Sequence, residues 1–451
     1  MKVVVIDDDP TGSQTVHGCP LLLRWDEATL RAGLRHPSPL LFLLADTRSL
    51  APADAADRNR EIVRNLDGAL GAEALQRRDV LLVSRGDSTL RGHGVLEPDT
   101  LQDAFGPFDA TCHVPAFLEG GRTTVNGVHL LHGQPVHTTP FAQDRLFRFG
   151  TSDLALWLEE KSCGAIRADD VIRITGFDLD AACGGSNSGR SQLIARLRRL
   201  SDNAPVVVDA ERQEQLSAFA SAVAALKGEK RFLFRSAASL VKALADPGPQ
   251  PLNAADLAAL RLRDAKGQAL PGLVMVGSYV PLADQQLERL LVEQACVGLE
   301  LPVRRIARVL DGPTPDLLLD DLEQVWQQQM QRVLSQGKTP VLFTSRGELT
   351  LSSGREGRRL SQRLARLMGR LAASLAPELG YIISKGGITT QTLLADGLSL
   401  EAVQLEGQLL PGLSLVRPSA ASLRALPILT FPGNLGDVGT LHQAWQRMQS
   451  G

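Results

Sequence analysis

Short aliphatic runs, each stopped by a polar or glycine-bearing turn and then followed by a stretch with helical spacing, constrain this chain more than any other feature. The runs in the first half are Val3 to Ile6, Leu40 to Leu44, Val80 to Val83, Val206 to Val208 and Phe232 to Phe234. Asp54 to Leu70 and Leu193 to Leu200 are helical stretches between them. Strands that alternate with helices predict a mostly parallel sheet, so the fold class is α/β. A chain of 451 residues exceeds what one core usually serves, which predicts two domains, each a mostly parallel sheet flanked by helices. Pro247, Pro249, Pro251, Gly267, Pro271 and Gly272 crowd one interval and mark residues 246–272 as the connection between a domain at 1–245 and another at 273–451.

In the second half the alternation restarts. Strands are expected at Leu273 to Val276, Pro302 to Val309, Val341 to Thr344 and Tyr381 to Ser384, and helices at Leu282 to Gln294, Asp320 to Gln336, Arg358 to Leu375 and from about Thr390. Cys183 to Ser191 is so rich in glycine and serine that an exposed loop without regular structure is expected.

Charge and cysteine usage exclude several functions. Lys and Arg number 48 against 50 acidic residues, so no global basic field exists to hold nucleic acid or an anionic membrane. No apolar run approaches the roughly 20 residues that span a bilayer. The five cysteines form no CxxC pair, which argues against a disulfide framework or a thiolate zinc site and suits a reducing cytoplasm.

Polar segments follow the strands where α/β sheets bind ligands, at their carboxyl ends. Asp7, Asp8 and Asp9, followed by Pro10, Thr11 and Gly12, leave the first strand. Three crowded carboxylates repel one another unless a cation, a hydroxyl-rich ligand or backbone donors offset them; a helix cap with two solvated neighbours is the plainer alternative. Ser84 to His93 follows Val80 to Val83 and brings Asp87, Ser88, Arg91 and a second arginine, Arg85. A guanidinium fork suits a carboxylate or phosphate, and a surface ion pair on a turn is the alternative. From Pro115 to Val128, paired glycines accompany Arg122, Thr124 and Asn126, which would suit a polyol acid or a β-turn entering a strand. Gly386, Gly387, Ile388 and Thr389 lie between a strand and a helix, as a phosphate cradle does and as a tight turn capped by Thr389 also would.

Other motifs fail. Gly337-Lys338-Thr339 resembles the end of a Walker A loop, but Arg332 replaces its first glycine and the helix precedes the strand. No HExxH pattern occurs among the eight histidines, of which His17 and His93 are best placed to touch a ligand. A nicotinamide-dependent dehydrogenase would carry GxGxxG after the first strand, where this chain has carboxylates.

Taken in order, these segments resemble the four-carbon acid sugar kinase family, over nearly the whole chain. The family's DDxTG motif is matched by Asp8 to Gly12, DSTLRG by Asp87 to Gly92, GRTTxNG by Gly121 to Gly127, and GGxT by Gly386 to Thr389. Gly277-Ser278 and Pro432-Gly433 match a serine after the first strand of the second domain and a late glycine loop. The chain departs by a proline in the acidic turn and by Phe431-Pro432-Gly433 in place of lysine-serine-glycine.

The resemblance implies an ATP- and Mg²⁺-dependent carbohydrate kinase that phosphorylates a hydroxyl of a small acid sugar, a tetronate, a 3-oxo-tetronate or a related acid, in a cleft between the domains. Ser278, Gly386, Gly387, Ile388, Thr389 and Gly433 would hold ATP. Arg91 and Arg122 would clamp the substrate carboxylate, with Asp8, Thr11, Asp87, Ser88 and Asn126 around its hydroxyls. Asp9 is the expected general base, with Asp8 and Asp87 as rivals. No protein ligand for the metal is assigned, and a homodimer is the expected assembly. A non-catalytic sugar-acid or nucleotide sensor is the alternative; it would keep the N-terminal motifs and have no need of the glycine loops.

Overall fold

The structure, a computed structural model, describes residues 2–9, 12, 15–184, 187–310, 312, 315–345, 354–419 and 425–451. The chain splits into two compact units, Met1–Pro249 and Gln250–Gly451.

The first unit contains β1 (Lys2–Asp7), β2 (Cys19–Leu22), β3 (Leu40–Leu44), β4 (Val80–Arg85) and β5 (Ala110–Val114). A small antiparallel sheet of β6 (Arg122–Val125), β7 (Val128–Leu131) and β8 (Gln134–Pro135) follows, then β9 (Ile172–Ile174), β10 (Ala204–Val208) and β11 (Phe232–Ser236). The main sheet runs β2-β3-β1-β4-β11-β5-β10-β9, with every pair parallel. Val3, Val4 and Val5 are at most 2% exposed, as expected of a central strand covered on both faces. From β1 the chain builds β2 and β3 on one side and returns to place β4 on the other. The strand order thus reverses at β1, the place where open α/β sheets bind ligands. The helix Pro52–Ala72 starts with Pro at its first turn and buries Ala55, Ile62, Leu66 and Ala69, one stripe at helical spacing.

The second unit contains β12 (Gly272–Val276), β13 (Cys296–Leu301), β14 (Thr339–Thr344), β15 (Tyr381–Lys385), β16 (Ala402–Leu410), β17 (Leu413–Pro418) and β18 (Ile428–Phe431). Its order is β13-β14-β12-β15-β18-β17-β16; the first five are parallel, and β18, β17 and β16 form an antiparallel meander.

Three expectations change. Pro302 to Val309, read as a strand, is mostly the helix Val303–Leu310, because Val303, Ile306 and Leu310 repeat at helical spacing; the strand is β13 just before it. Cys183 closes the helix Gly176–Cys183 and Asn187 opens the helix Asn187–Arg198, so most of the expected loop is helical. The last expected helix starts earlier, at Gly387. Residues 246–272, expected to connect the domains, include the helix Ala254–Ala258, whose Leu257 and Ala258 pack with Tyr381 and Trp445 in the core of the second unit. Among the described residues no helix is long and apolar enough to cross a membrane.

Candidate functional sites at the carboxyl ends of the strands

In the first unit, the register sets Asp7 at the end of β1 beside Arg85 at the end of β4. Asp7 is 1% exposed, and burial pushes its carboxyl up to about 7 despite Arg85, with Asp8 and Asp9 adding to the rise. The Asp9 amide donates to Asp7 Oδ1 at 3.2 Å. Gly12 is required here, because a Cβ on it would come within 2.1 Å of Asp7 Oδ2. Thr11, a proposed substrate contact, lies outside the described residues.

Arg48, on the loop after β3, pairs with the next two carboxylates, and Arg85 and Arg235 also lie 3.7 and 3.9 Å from Asp8. Arg48 Nη2 and Nε donate to Asp8 at 2.6 and 3.1 Å, and its Nη1 donates to Asp9 Oδ2 at 2.8 Å. The Asp8 side chain is 1% exposed and that of Asp9 20%. Asp46, on the same loop with φ +48°, is pushed up to about 7 by burial and by Asp9.

Asp87 and Arg91 form an ion pair, with Arg91 Nε donating to Asp87 Oδ2 at 2.7 Å and Thr89 donating to the same carboxylate. Burial alone would raise the Asp87 carboxyl, but Arg48 and Arg91 with these hydrogen bonds hold it well below the usual carboxylate range. Beneath them, Arg235 of β11 donates to Ser84 Oγ at 2.7 Å and to Glu97, which also accepts from Thr47. Both Arg235 and Glu97 are buried.

The hairpin of β6 and β7 is tied to the Asp87 loop by His129. Its Nε2 lies 2.8 Å from the Ser88 carbonyl, which only accepts, and its Nδ1 lies 2.9 Å from Thr124 Oγ1. Burial lowers His129 to about 4, so the ring is neutral at pH 7, with its proton on Nε2. Asn126 and Gly127, at φ +51° and +78°, make the hairpin turn, and Asp209 accepts from both of their amides. Asn126 thus has a turn role that needs no ligand.

Arg122 differs from the other arginines of this region. Among the described residues it has no carboxylate partner, and its Nε is buried without an acceptor. Burial lowers its pKa, with Asp87 opposing and Arg91 adding to the effect, yet a guanidinium stays charged.

The sequence-predicted residues Asp8, Asp9, Asp87, Ser88, Arg91 and Arg122 are thus brought together. Arg48, Asp46, Glu97 and Arg235 were missed. Arg48 had a readable signal, since it follows Leu40 to Leu44 as Asp87 follows Val80 to Val83; Arg235, inside an aliphatic run, had none. The expected histidine contacts are backbone-bound: His17 to the Gly248 carbonyl at 3.2 Å and His93 to the Leu50 carbonyl at 3.1 Å.

In the second unit, β12, β15 and β18 end side by side. Their loops bring together residues from three distant stretches of sequence. A Cβ on Gly386 would lie 3.2 Å from Ser278 N, and one on Gly433 2.7 Å from Ser278 Oγ. Gly277 meets Thr389 the same way, since its Cβ would fall 1.9 Å from Thr389 Oγ1. Gly386 has φ +117°, whereas Gly387 is the first residue of a six-residue helix and Ile388 is 40% exposed. Fully buried Lys385 braces the late loop, donating to the Pro432 and Gly433 carbonyls at 3.1 Å each. Backbone walls without side chains around a serine fit a phosphate-bearing ligand. Among the described residues, no group of three His, Cys, Asp or Glu side chains is placed to hold a metal ion.

Residues 3–244 match a family described as a sugar-binding N-terminal domain, and residues 273–441 one described as a nucleotide-binding C-terminal domain. A D-threonate kinase of Cupriavidus necator is 28% identical, covering 99% of this chain and 98% of that protein. A D-erythronate kinase of Heliobacterium modesticaldum is 24% identical, covering 97% and 94%. The crystal structure of a Haemophilus influenzae protein from a family of unknown function shares the fold, with a TM-score of 0.61 at 15% identity over 99% of both chains.

Proposed function

The chain belongs to the four-carbon acid sugar kinase family, and from that premise we propose that it transfers the γ-phosphoryl group of ATP to a hydroxyl of a short-chain acid sugar. The observation that carries the acid-sugar reading is Arg122, a half-buried cation without a carboxylate of its own beside Asp87 and Arg91. The relatives named as kinases of D-threonate and D-erythronate support the same reaction class.

Phosphoryl transfer needs little from a protein beyond positioning and charge neutralisation. When bound, ATP supplies the phosphoryl group and Mg²⁺ offsets charge on its oxygens. The metal keeps several waters and takes only one or two protein oxygens beside the phosphates, so it would arrive with the nucleotide. In this reading Ser278, the Gly386 to Thr389 turn and Gly433 hold the nucleotide phosphates. Arg122 holds the substrate carboxylate with help from Arg91, while Asp87 and Ser88 face its hydroxyls. Asp8, whose oxygens are both taken by Arg48, anchors that arginine. Asp9, the more exposed of the pair, takes the proton as the hydroxyl oxygen bonds to phosphorus and the bond to the ADP oxygen breaks. A non-catalytic sensor of sugar acids alone would not need Gly386 and Gly433 to converge on Ser278, and ADP release separates a kinase from a nucleotide sensor.

The test is ADP release across four- to six-carbon aldonates and oxo-acids, with the matching alditols as controls. At least one acid should support turnover and its alditol should not. Equal rates on an acid and its uncharged alditol would refute the arginine clamp, and ADP release with no member of the panel would refute the acceptor class.

A further inference from the structure

Gln286 lies in the helix Pro281–Leu291, which begins three residues after Ser278, and it is fully buried. Its Nε2 donates to the carbonyls of Leu435 and Asp437 at 3.1 and 2.6 Å. Both partners only accept, so the amide nitrogen is the atom that faces them, and Oε1 is left buried without a donor among the described residues. Fully buried Lys385 takes the Pro432 and Gly433 carbonyls of the same loop. Two buried side chains thus turn four carbonyls of residues 432–437 toward the core of the second unit.

A trans peptide points its N–H opposite to its C=O, and the peptides of this loop are trans. The amides of Gly433, Asn434 and Gly436 share peptide planes with the carbonyls of Pro432, Gly433 and Leu435, so they point away from Lys385 and Gln286. None of the three has an acceptor among the described residues. Gly433 lies against Ser278, and Asn434 and Gly436 are exposed. Residues 431–436 carry no cationic side chain, so what the loop offers an anion is its main-chain N–H groups.

We propose that Gln286 and Lys385 are positioning residues that hold residues 432–437 as a nest, whose outward amides bind phosphate oxygens of the nucleotide. This rests on the nucleotide reading of the cradle around Ser278 and adds to it the two side chains that shape its late loop. A methionine at position 286 would fill the same space without an orphaned acceptor, so the glutamine is explained by the two carbonyls it holds.

The test is calorimetric binding of inorganic tripolyphosphate and of Mg-ATP to the full-length parent and to Gln286→Met, with hydrogen exchange followed over residues 432–437. Both ligands should bind the folded variant about tenfold more weakly, the least that one hydrogen bond to a charged group is worth. A merely structural glutamine would lower the melting temperature and leave both affinities at the parental values, and that outcome overturns the proposal. In the parent, tripolyphosphate should slow exchange over residues 432–437. Unchanged exchange overturns the proposal whatever the variant does, and this measurement decides alone if the variant fails to fold. Tripolyphosphate binding with slowed exchange but no ADP release on any acid would remove the kinase reading and leave the nest in place, whereas a parent that binds neither tripolyphosphate nor Mg-ATP overturns both.

Discussion

Arg48 grips Asp8 with two guanidinium nitrogens, at 2.6 and 3.1 Å, and reaches Asp9 with the third at 2.8 Å. Together with Arg85, 3.6 Å from Asp7 and 3.7 Å from Asp8, and Arg235, 3.9 Å from Asp8, this cation makes an acidic turn after β1 compatible with folding. Arg48→Ala should cost about 3 kcal/mol in denaturant unfolding, because it takes the two closest hydrogen-bond donors from the buried Asp8 carboxylate and leaves only the longer contacts to Arg85 and Arg235. Arg48→Lys keeps the charge and loses the fork, so it should recover only part of that stability. A loss under about 0.5 kcal/mol in Arg48→Ala would show that the turn is balanced by other groups.

Asp9→Asn should reduce turnover at least 100-fold, the usual contribution of a positioned proton acceptor, while nucleotide affinity stays within about twofold. Single-turnover rates and nucleotide titration separate the two. Asp87→Asn run beside it should instead raise the acceptor KM, since Asp87 is engaged with Arg91 and Thr89. If Asp9→Asn turns over normally and Asp87→Asn does not, the base is Asp87.

The pH dependence of stability follows from Asp7. Its carboxyl sits at about 7 in the folded chain against an unfolded value of 3.8, so the folded state binds more protons between those values. Its contribution is fully present below about pH 4 and is lost as pH rises through 7, at no more than about 1.4 kcal/mol per pH unit. Denaturant unfolding should show the parent losing stability relative to Asp7→Asn across that window and running parallel to it above. A flat difference would mean that Asp7 is ionised throughout.

Gly386 carries positive φ and faces Ser278, so Gly386→Ala should strain the turn by about 1–3 kcal/mol and fill space beside the serine. Nucleotide binding should fall with it. Mg-ATP should raise the melting temperature of the parent and not of the variant. A folded variant that is stabilised to the parental extent would show the loop to be a turn and nothing more.

The α/β class and many of the parallel strands were legible because parallel strands are buried on both faces and read as unbroken aliphatic runs, such as Leu40 to Leu44. The helix Val303–Leu310 was misread because eight residues with three arginines fit either period until its apolar spacing is counted. β16 alternates cleanly, with Val403, Leu405, Gly407 and Leu409 buried, but the expected elements ended at the helix from about Thr390, so the meander lay beyond them.

By itself the sequence determined which residue types stand just after which strands: carboxylates after β1, an arginine-rich turn after β4, glycines after β15. Carboxyl ends of parallel strands share one edge of a sheet, so that information already grouped Asp9, Asp87 and Arg91, whereas Ser278 and Gly433 joined Gly386 through the family resemblance. Tertiary structure alone decided which charges cancel. Pairing depends on register and on where a side chain of several bonds can reach, and neither is written in spacing along the chain. Asp8 therefore went to Arg48, Asp87 to Arg91 and Glu97 to Arg235. Arg122, indistinguishable in the sequence from these other arginines, has no carboxylate partner among the described residues, unlike Arg48, Arg91 and Arg235.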